Sequence, residues 1–451
     1  MAALDWLIDH RTPLLCIGVS AFLICYSPKL ESLWRKALRS VPPDDETKSK
    51  AESVSSSSFI YPKIDSCLEA LENIKPVPYR PFKWGEYHVT MGIKNISFEK
   101  WIELDDQFAH YHQLRLHRMK LRGKRVVQTL PDDPQFATSG YAAAKELVHE
   151  LAEYLSRRYP NTFHVERHPR GKDGDDGWYG EGRIRMITIL PPVNATYNLD
   201  EEDPMTVAGL LVQDDLALMI EGSGETYYLR SGAICTAGFW RLEDKLGMSL
   251  DDIHFSGNVP QYQKKLRTSL NRFIQRLPVD KLIQRNNYFF KIVSDFTRPV
   301  EPLDPDELGW AETTVGAEDA FQSGAGLGYG KEDAAEHDVV DAAVEKQDMN
   351  VKPSMMRLRM ERQTLRRLPK TGAVIFTIRT YIVPVEELVK EVGTPGRMAS
   401  AIRSWPDDVA GYKSRASYQQ YVLPYLDECH KKQVEEGLLG ADEQPHTDYP
   451  F

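Results

Sequence analysis

The chain has 451 residues, 41% hydrophobic and 27% charged, which allows two or three domains and a sizeable core. Its net charge of -10 argues against nucleic acid as a partner. Five cysteines (Cys16, Cys25, Cys67, Cys235 and Cys429) form no Cys-x-x-Cys pair, which excludes zinc-ribbon and iron–sulfur readings. Their odd count and irregular spacing point to a reducing compartment rather than a disulfide scaffold.

Thr12 to Pro28 is the one membrane-like stretch, an uncharged run of about 17 residues at the short end for a spanning helix. Lys29, Arg35, Lys36 and Arg39 follow it, so the positive-inside rule predicts a single-pass anchor with the main domain in the cytosol. A buried helix or a targeting segment is the alternative. Residues 1–40 then form the anchor and its basic flank, 41–60 a Pro- and Ser-rich flexible linker, and 61–436 the globular domain. Within that domain 312–350 is acidic and reads as a disordered insertion; 437–451 is a polar tail.

Ser97 to Arg122 carries Trp101, Leu104, Phe108 and Tyr111 at helical spacing, with Ser97 as cap and Gly123 as the stop. Its basic end, Arg115 to Arg125, reads as a solvated helix terminus or as a docking patch for an acidic redox partner or lipid head groups. His110, His112 and His117 read as surface histidines. Thr138 to Tyr159 is a second helix, capped by Thr138 or Ser139. Ile184 to Leu190 is a short apolar strand. Val207–Val212, Leu216–Glu221, Tyr227–Arg230 and Ala233–Thr236 read as consecutive strands, with Gly222-Ser223-Gly224 as a hairpin turn. Phe255 to Val259 leads into a helix predicted from Pro260, and Asn286 begins an extended piece. Val385–Val392 and Tyr418–Glu436 read as helical. The fold class is α+β, an antiparallel sheet with helices packed on it.

Arg357 to Pro384 reads as two strands joined at Pro369-Lys370-Thr371-Gly372. Strand alternation puts Arg362 in phase with Leu358 and Met360, so it points inward and needs a carboxylate, either the protein's own or a cofactor's. There is no Gly-x-Ser-x-Gly elbow, no His-Glu-x-x-His and no dinucleotide fingerprint. His254, between Ile253 and Phe255, reads either as a core histidine on a backbone carbonyl or as a heme axial ligand, with arginines facing the propionates. Cys235 is a rival thiolate, although a buried structural thiol suits its strand context.

Three pieces, LVQDDLALM, FWRLEDKLGMSLDDIH with the following VP, and MERQTLRRLPKTGAVIFTIRTYIVP, together resemble the heme-dependent oxidative N-demethylase alpha-subunit-like family. The resemblance runs from about Tyr79 to Val392. It implies a PAS-like sheet that binds heme b and the O2-dependent oxidation of a small secondary methylamine to amine and formaldehyde. His254 matches the family's Ile-His motif and becomes the implied axial ligand, the metal-binding residue. Arg362 and Arg366 become candidate propionate or pocket residues. Trp240, Lys245 and Asp215 match motif positions without an assigned role, and no catalytic residue is assigned. The sequence departs from the family at IHFSGNVP, where the family more often has a shorter Ile-His-x-Pro-Val-Pro. It carries no flavin motif, so a separate electron-donating reductase is implied as partner, with a small amine as substrate. A non-catalytic heme- or ligand-binding sensor and a membrane-attached scaffold are the alternatives.

Overall fold

A computed structural model of the chain describes residues 59–171, 174–236, 240–292 and 352–440. The expected anchor over 12–28, the acidic insertion 312–350 and most of the polar tail lie outside these residues, as does the linker up to residue 58. Among the described residues no helix is long and apolar enough to cross a membrane, which overturns the expectation of a single-pass membrane protein. The longest helix there, Arg415–Glu435, shows the physical reason: it has the length but carries charge along its surface.

The chain runs through β1 (Lys94–Ile96), α1 (Phe108–Arg122), β2 (Val127–Thr129), α2 (Gly140–Arg158), β3 (Phe163–Arg167), β4 (Ile184–Ile189) and β5 (Ala195–Asn198). It continues through α3 (Pro204–Leu211), β6 (Asp215–Glu221), β7 (Tyr227–Ala233), α4 (Leu250–Ser256), α5 (Arg267–Arg276), β8 (Leu282–Ile292) and β9 (Met356–Arg367). β10 (Val374–Pro384), α6 (Thr394–Arg403), α7 (Asp407–Tyr412) and α8 (Arg415–Glu435) complete it. Seven strands form one antiparallel sheet in the order β1-β8-β9-β10-β6-β7-β2, and β3-β4-β5 form a small second sheet. The α+β class with a large antiparallel sheet is as expected from the sequence.

The β9–β10 hairpin is at the centre of the large sheet. Its turn closes with Gly372 N–H donating to Leu368 O (3.1 Å) and Leu368 N–H donating to Ala373 O (2.8 Å). Gly372 sits at φ 70°, a conformation that L side chains avoid. The Glu146 carboxylate of α2 accepts from Lys370 N (2.6 Å) and Thr371 N (2.7 Å), fixing the turn against the helix. The strands alternate cleanly, yet both phases are buried, because helices cover both faces of the sheet.

On one face, Leu216, Leu218, Ile220 and Ile375 pack against Leu147 and Leu151 of α2 and the residues of α3. On the other, Ala217, Met219, Leu229, Leu365 and Val374 meet Leu250 of α4 and Ile274 of α5. A third cluster joins Leu358, Met360, Tyr288 and Phe290 to Met398, Ile402, Tyr418 and Val422 of α6 and α8. Each fully buried Leu or Ile in these layers contributes about 1.5–3 kcal/mol relative to exposure.

Two local expectations fail for identifiable reasons. Ser97 caps no long helix; a single turn follows, and α1 begins at Phe108. Between them Trp101 and Ile102 are buried, and side chains rather than a helix satisfy the local carbonyls. Tyr154 Oη donates to Glu99 O and Ile102 O, and Arg362 donates to Lys100 O and Trp101 O. Val207–Val212 is not a strand: Val207 to Leu211 belong to α3 and Val212 caps it; Asp203 Oδ2 accepts from Thr206 N at 2.8 Å, and Pro204 occupies the first turn.

Candidate functional site

His254 lies on α4. Ser249 opens that helix, its Oγ accepting from Asp252 N at 3.1 Å. One turn on, His254 Nδ1 lies 2.7 Å from Leu250 O. A carbonyl only accepts, so Nδ1 carries the proton and Nε2 keeps its lone pair. Among the described residues Nε2 has no hydrogen-bond partner. Burial pushes the imidazole down to about 4, so the ring is neutral at physiological pH.

After α4 the backbone turns through Asn258 and Gln261, both at positive φ, and brings Tyr262 back over the histidine. The two rings stack at 4.6 Å with an interplanar angle of 9°. Tyr262 Oη donates to Asp251 Oδ1 (2.7 Å), and Asp251 also accepts from Arg267 Nε (2.8 Å) and Asn271 Nδ2 (3.0 Å). This network holds Tyr262 against the His254 ring.

His254 borders a cavity of about 280 Å³ between the sheet and helices α4 and α5. Its walls are largely apolar, with Met219, Leu365, Val374 and Phe376 from the sheet and Leu270 and Phe273 from α5. Four charged groups and an indole interrupt them: Lys245, Arg285, Lys413, Glu361 and Trp240. Burial pushes the Lys245 amine down to about 8 and the Lys413 amine down to about 7. Burial lowers Arg285 as well, although the nearby Glu361 partly restores it. Glu361 accepts from Arg359 Nη2 (2.7 Å) and Gln363 Nε2 (2.8 Å). It is the one carboxylate among the residues lining the cavity, against three cations. The site is therefore apolar, with an excess of partly desolvated positive charge, and is suited to an apolar ligand that carries anionic groups.

The expected propionate residues are elsewhere. Arg362 is fully buried, as the strand phase predicts, but it points to the opposite sheet face from Glu361, Gln363 and Leu365, which line the cavity. Its charge is met by the protein: Glu103 (3.3 Å), with hydrogen bonds to Tyr79 Oη (3.0 Å) and Gln284 Oε1 (3.1 Å). Arg366 shares that face, pairing with Glu150 at 2.5 Å and stacking on Trp101 with its guanidinium carbon 4.4 Å from the ring centroid. The structure does not bring either arginine to His254. The physical reason is the two-unit strand period: 362 and 366 share one phase, 361, 363 and 365 the other.

The same buried face corrects the reading of the basic helix end. Arg115 and Arg118 are interior; Arg115 pairs with Asp215 at 2.8 Å and Arg118 donates to Cys235 O. His112 is also buried, 2.6 Å from Tyr197 Oη, rather than on the surface. Asp215 also accepts from Cys235 N and Thr236 N, so its role is to hold the end of β7. Cys235 is buried there and does not line the cavity. Of the motif positions without an expected role, Trp240 and Lys245 do line it. Sequence reasoning missed Arg285, Glu361 and Lys413. The first two carry a readable signal, as charged residues in the second phase of strands that are buried on both sides; Lys413, in the loop after α7, carries none.

A family model described as haem-dependent oxidative N-demethylase, alpha subunit-like, matches residues 92–423. The chain belongs to this family. The match continues past Val392, the end expected from the resemblance, through α6 and α7 and into α8. The family's description implies heme, and the residues present fit it. A heme requires an axial donor and counter-charge for its propionates. His254 offers a neutral imidazole whose free nitrogen is set by the Leu250 hydrogen bond, the arrangement in which a second partner fixes the ligating tautomer. Lys245, Arg285 and Lys413 offer positive charge in an otherwise apolar wall.

Proposed function

We propose that this chain is a heme b oxidoreductase that carries out O2-dependent oxidative N-demethylation of a small amine, with electrons from a separate reductase. The observation that carries the reading is the His254 imidazole, neutral, with Nδ1 donating to Leu250 O, at the edge of an apolar cavity lined by cations. The sheet with its helix-walled cavity supports a PAS-like description, and residues 61–436 as one catalytic domain.

When bound, heme supplies the one-electron and O2 chemistry. His254 would hold it through Nε2, and the Tyr262 stack would keep the imidazole plane from turning. Lys245, Arg285 and Lys413 would bind the propionates, in place of Arg362 and Arg366. Met219, Phe376, Leu270 and Phe273 exclude water from the reacting methyl group. Glu361, the carboxylate of the wall, orients a cationic amine.

Reconstitution of the full chain with hemin tests the reading. A Soret band is expected for the wild type and a weakened or shifted band for His254→Ala. Formaldehyde release from dimethylamine with dithionite as reductant then reports turnover. A wild-type chain without a Soret band overturns the heme reading, and a Soret band without formaldehyde favours a heme-binding sensor.

A further inference from the structure

The segment from Tyr262 to Lys281 distributes its residues by charge as well as by polarity. Its inner face supplies Leu266, Leu270, Phe273 and Ile274 to the cavity wall. Its outer face exposes Lys264, Lys265, Arg267, Arg272 and Arg276, followed by Lys281. Asp280 is the one acidic residue of the segment, in a chain whose net charge is -10. Among the described residues no carboxylate pairs with Lys264, Lys265, Arg272 or Arg276; of the outer cations only Arg267 is engaged, with Asp251. Arg272, Arg276, Lys281 and Lys94 also line a surface cleft of about 460 Å³. Ile93 and Phe273 line both this cleft and the cavity, so one layer of side chains separates the basic surface from the candidate heme site. At the start of the same segment, Tyr262 is both the stacking partner of His254 and hydrogen-bonded to Asp251, which holds Arg267.

We propose that the exposed basic face of Tyr262–Lys281 is the docking surface for an acidic electron-donor protein. The inference rests on the heme reading, and it replaces the Arg115–Arg125 end of α1, where Arg115 and Arg118 are interior. Charge complementarity selects the partner: a solvated row of cations attracts an acidic surface and orients it before contact. Position selects its role, because a protein seated here reaches closer to the cavity than one on the α2 side of the sheet. Each encounter passes one electron from the donor's reduced iron–sulfur centre into the cavity, and the donor leaves oxidised. Two encounters, two protons and one O2 balance hydroxylation of one methyl group and release of one water; the hydroxymethyl amine then breaks its C–N bond to give amine and formaldehyde.

The test compares the full-length wild type with a Lys264→Glu/Lys265→Glu/Arg272→Glu/Arg276→Glu variant, using an acidic plant-type [2Fe–2S] ferredoxin as probe. Binding is measured by calorimetry across a salt series, and ferredoxin-driven heme reduction by stopped flow. The wild type is expected to bind with an affinity that falls as salt rises, and the variant to bind about tenfold or more weakly. The variant's Soret band and dithionite-driven formaldehyde release should match the wild type. Equal binding by the two proteins overturns the assignment, as does a wild type that ignores ferredoxin but binds phosphatidylserine vesicles in a charge-dependent way. Failure of the heme reading shows separately, as a missing Soret band in both proteins, while the calorimetric arm still reports on the surface.

Discussion

Lys413 offers the sharpest test of the cavity's electrostatics. It is 5% exposed, with Nζ donating to Tyr288 O and lying 4.4 Å from the ring centroids of both Tyr288 and Phe289. Burial moves its amine from 10.5 to about 7. At about 1.4 kcal/mol per pH unit, that fall represents about 5 kcal/mol of unfavourable charge burial when the lysine is protonated. Lys413→Met, of similar length and without charge, is therefore expected to stabilise the ligand-free protein at pH 7, by up to about 4 kcal/mol. The sign of the pH dependence follows from linkage. Between about 7 and 10.5 the unfolded chain keeps the proton that the native state has released, so this lysine makes stability rise with pH across that window. Urea denaturation of wild type and variant at a series of pH values from 7 to 10 reads both effects, and hemin titration should show weaker binding by the variant. A variant less stable than wild type at pH 7, or one with the same slope between pH 7 and 10, would refute the reasoning.

His254 titrates in the opposite half of the pH range. Its fall from 6.5 to about 4 means that stability decreases as pH drops from 6.5 through 4, by at most about 3 kcal/mol, and His254→Gln should flatten that limb in chemical denaturation. Asp214 runs the other way. It is fully buried, both of its carboxylate oxygens lack hydrogen-bond partners among the described residues, and burial raises it to about 6. Its ionisation lowers stability as pH rises from 3.8 through 6, so Asp214→Asn should raise the melting temperature at pH 7 more than at pH 4. Breaking the Arg115–Asp215 pair with Arg115→Met strands a buried carboxylate and should cost about 3–5 kcal/mol in urea denaturation, part of which a second change, Asp215→Asn, should return. Gly372→Ala places a side chain at φ 70° and should cost about 1–2 kcal/mol by the same assay.

The hairpin and the buried arginine show how far the sequence reaches. Pro369-Lys370-Thr371-Gly372 specifies its turn locally, because Gly372 alone supplies the positive φ the reversal needs. The inward direction of Arg362 likewise follows from strand alternation, a property of the backbone. Ser139 and Gly123 mark helix ends by the same short-range chemistry, whereas Asp203 and Pro204 mark one that the apolar run after them disguises as a strand. The family motifs, too, are read from the chain alone, and His254 is among them.

Alternation says that Arg362 and Glu361 face opposite ways, but not which way the cavity lies. In a sheet covered on one side, the polar phase is solvent; here both phases are core. Which carboxylate meets which guanidinium was settled by α2 and by the Lys100–Asp105 segment, far away in sequence, which bring Glu150, Glu103 and Asp105 onto Arg366, Arg362 and Arg379. The cavity cations come from three separate places, the short helix Leu242–Lys245, β8 at Arg285 and the loop after α7 at Lys413, and no spacing in the chain links them. Sequence determined the local backbone choices, the periodicity and the family, because those depend on neighbours within a few residues. Only the tertiary structure decided which face of the sheet closes over His254, because that depends on which helices pack against it.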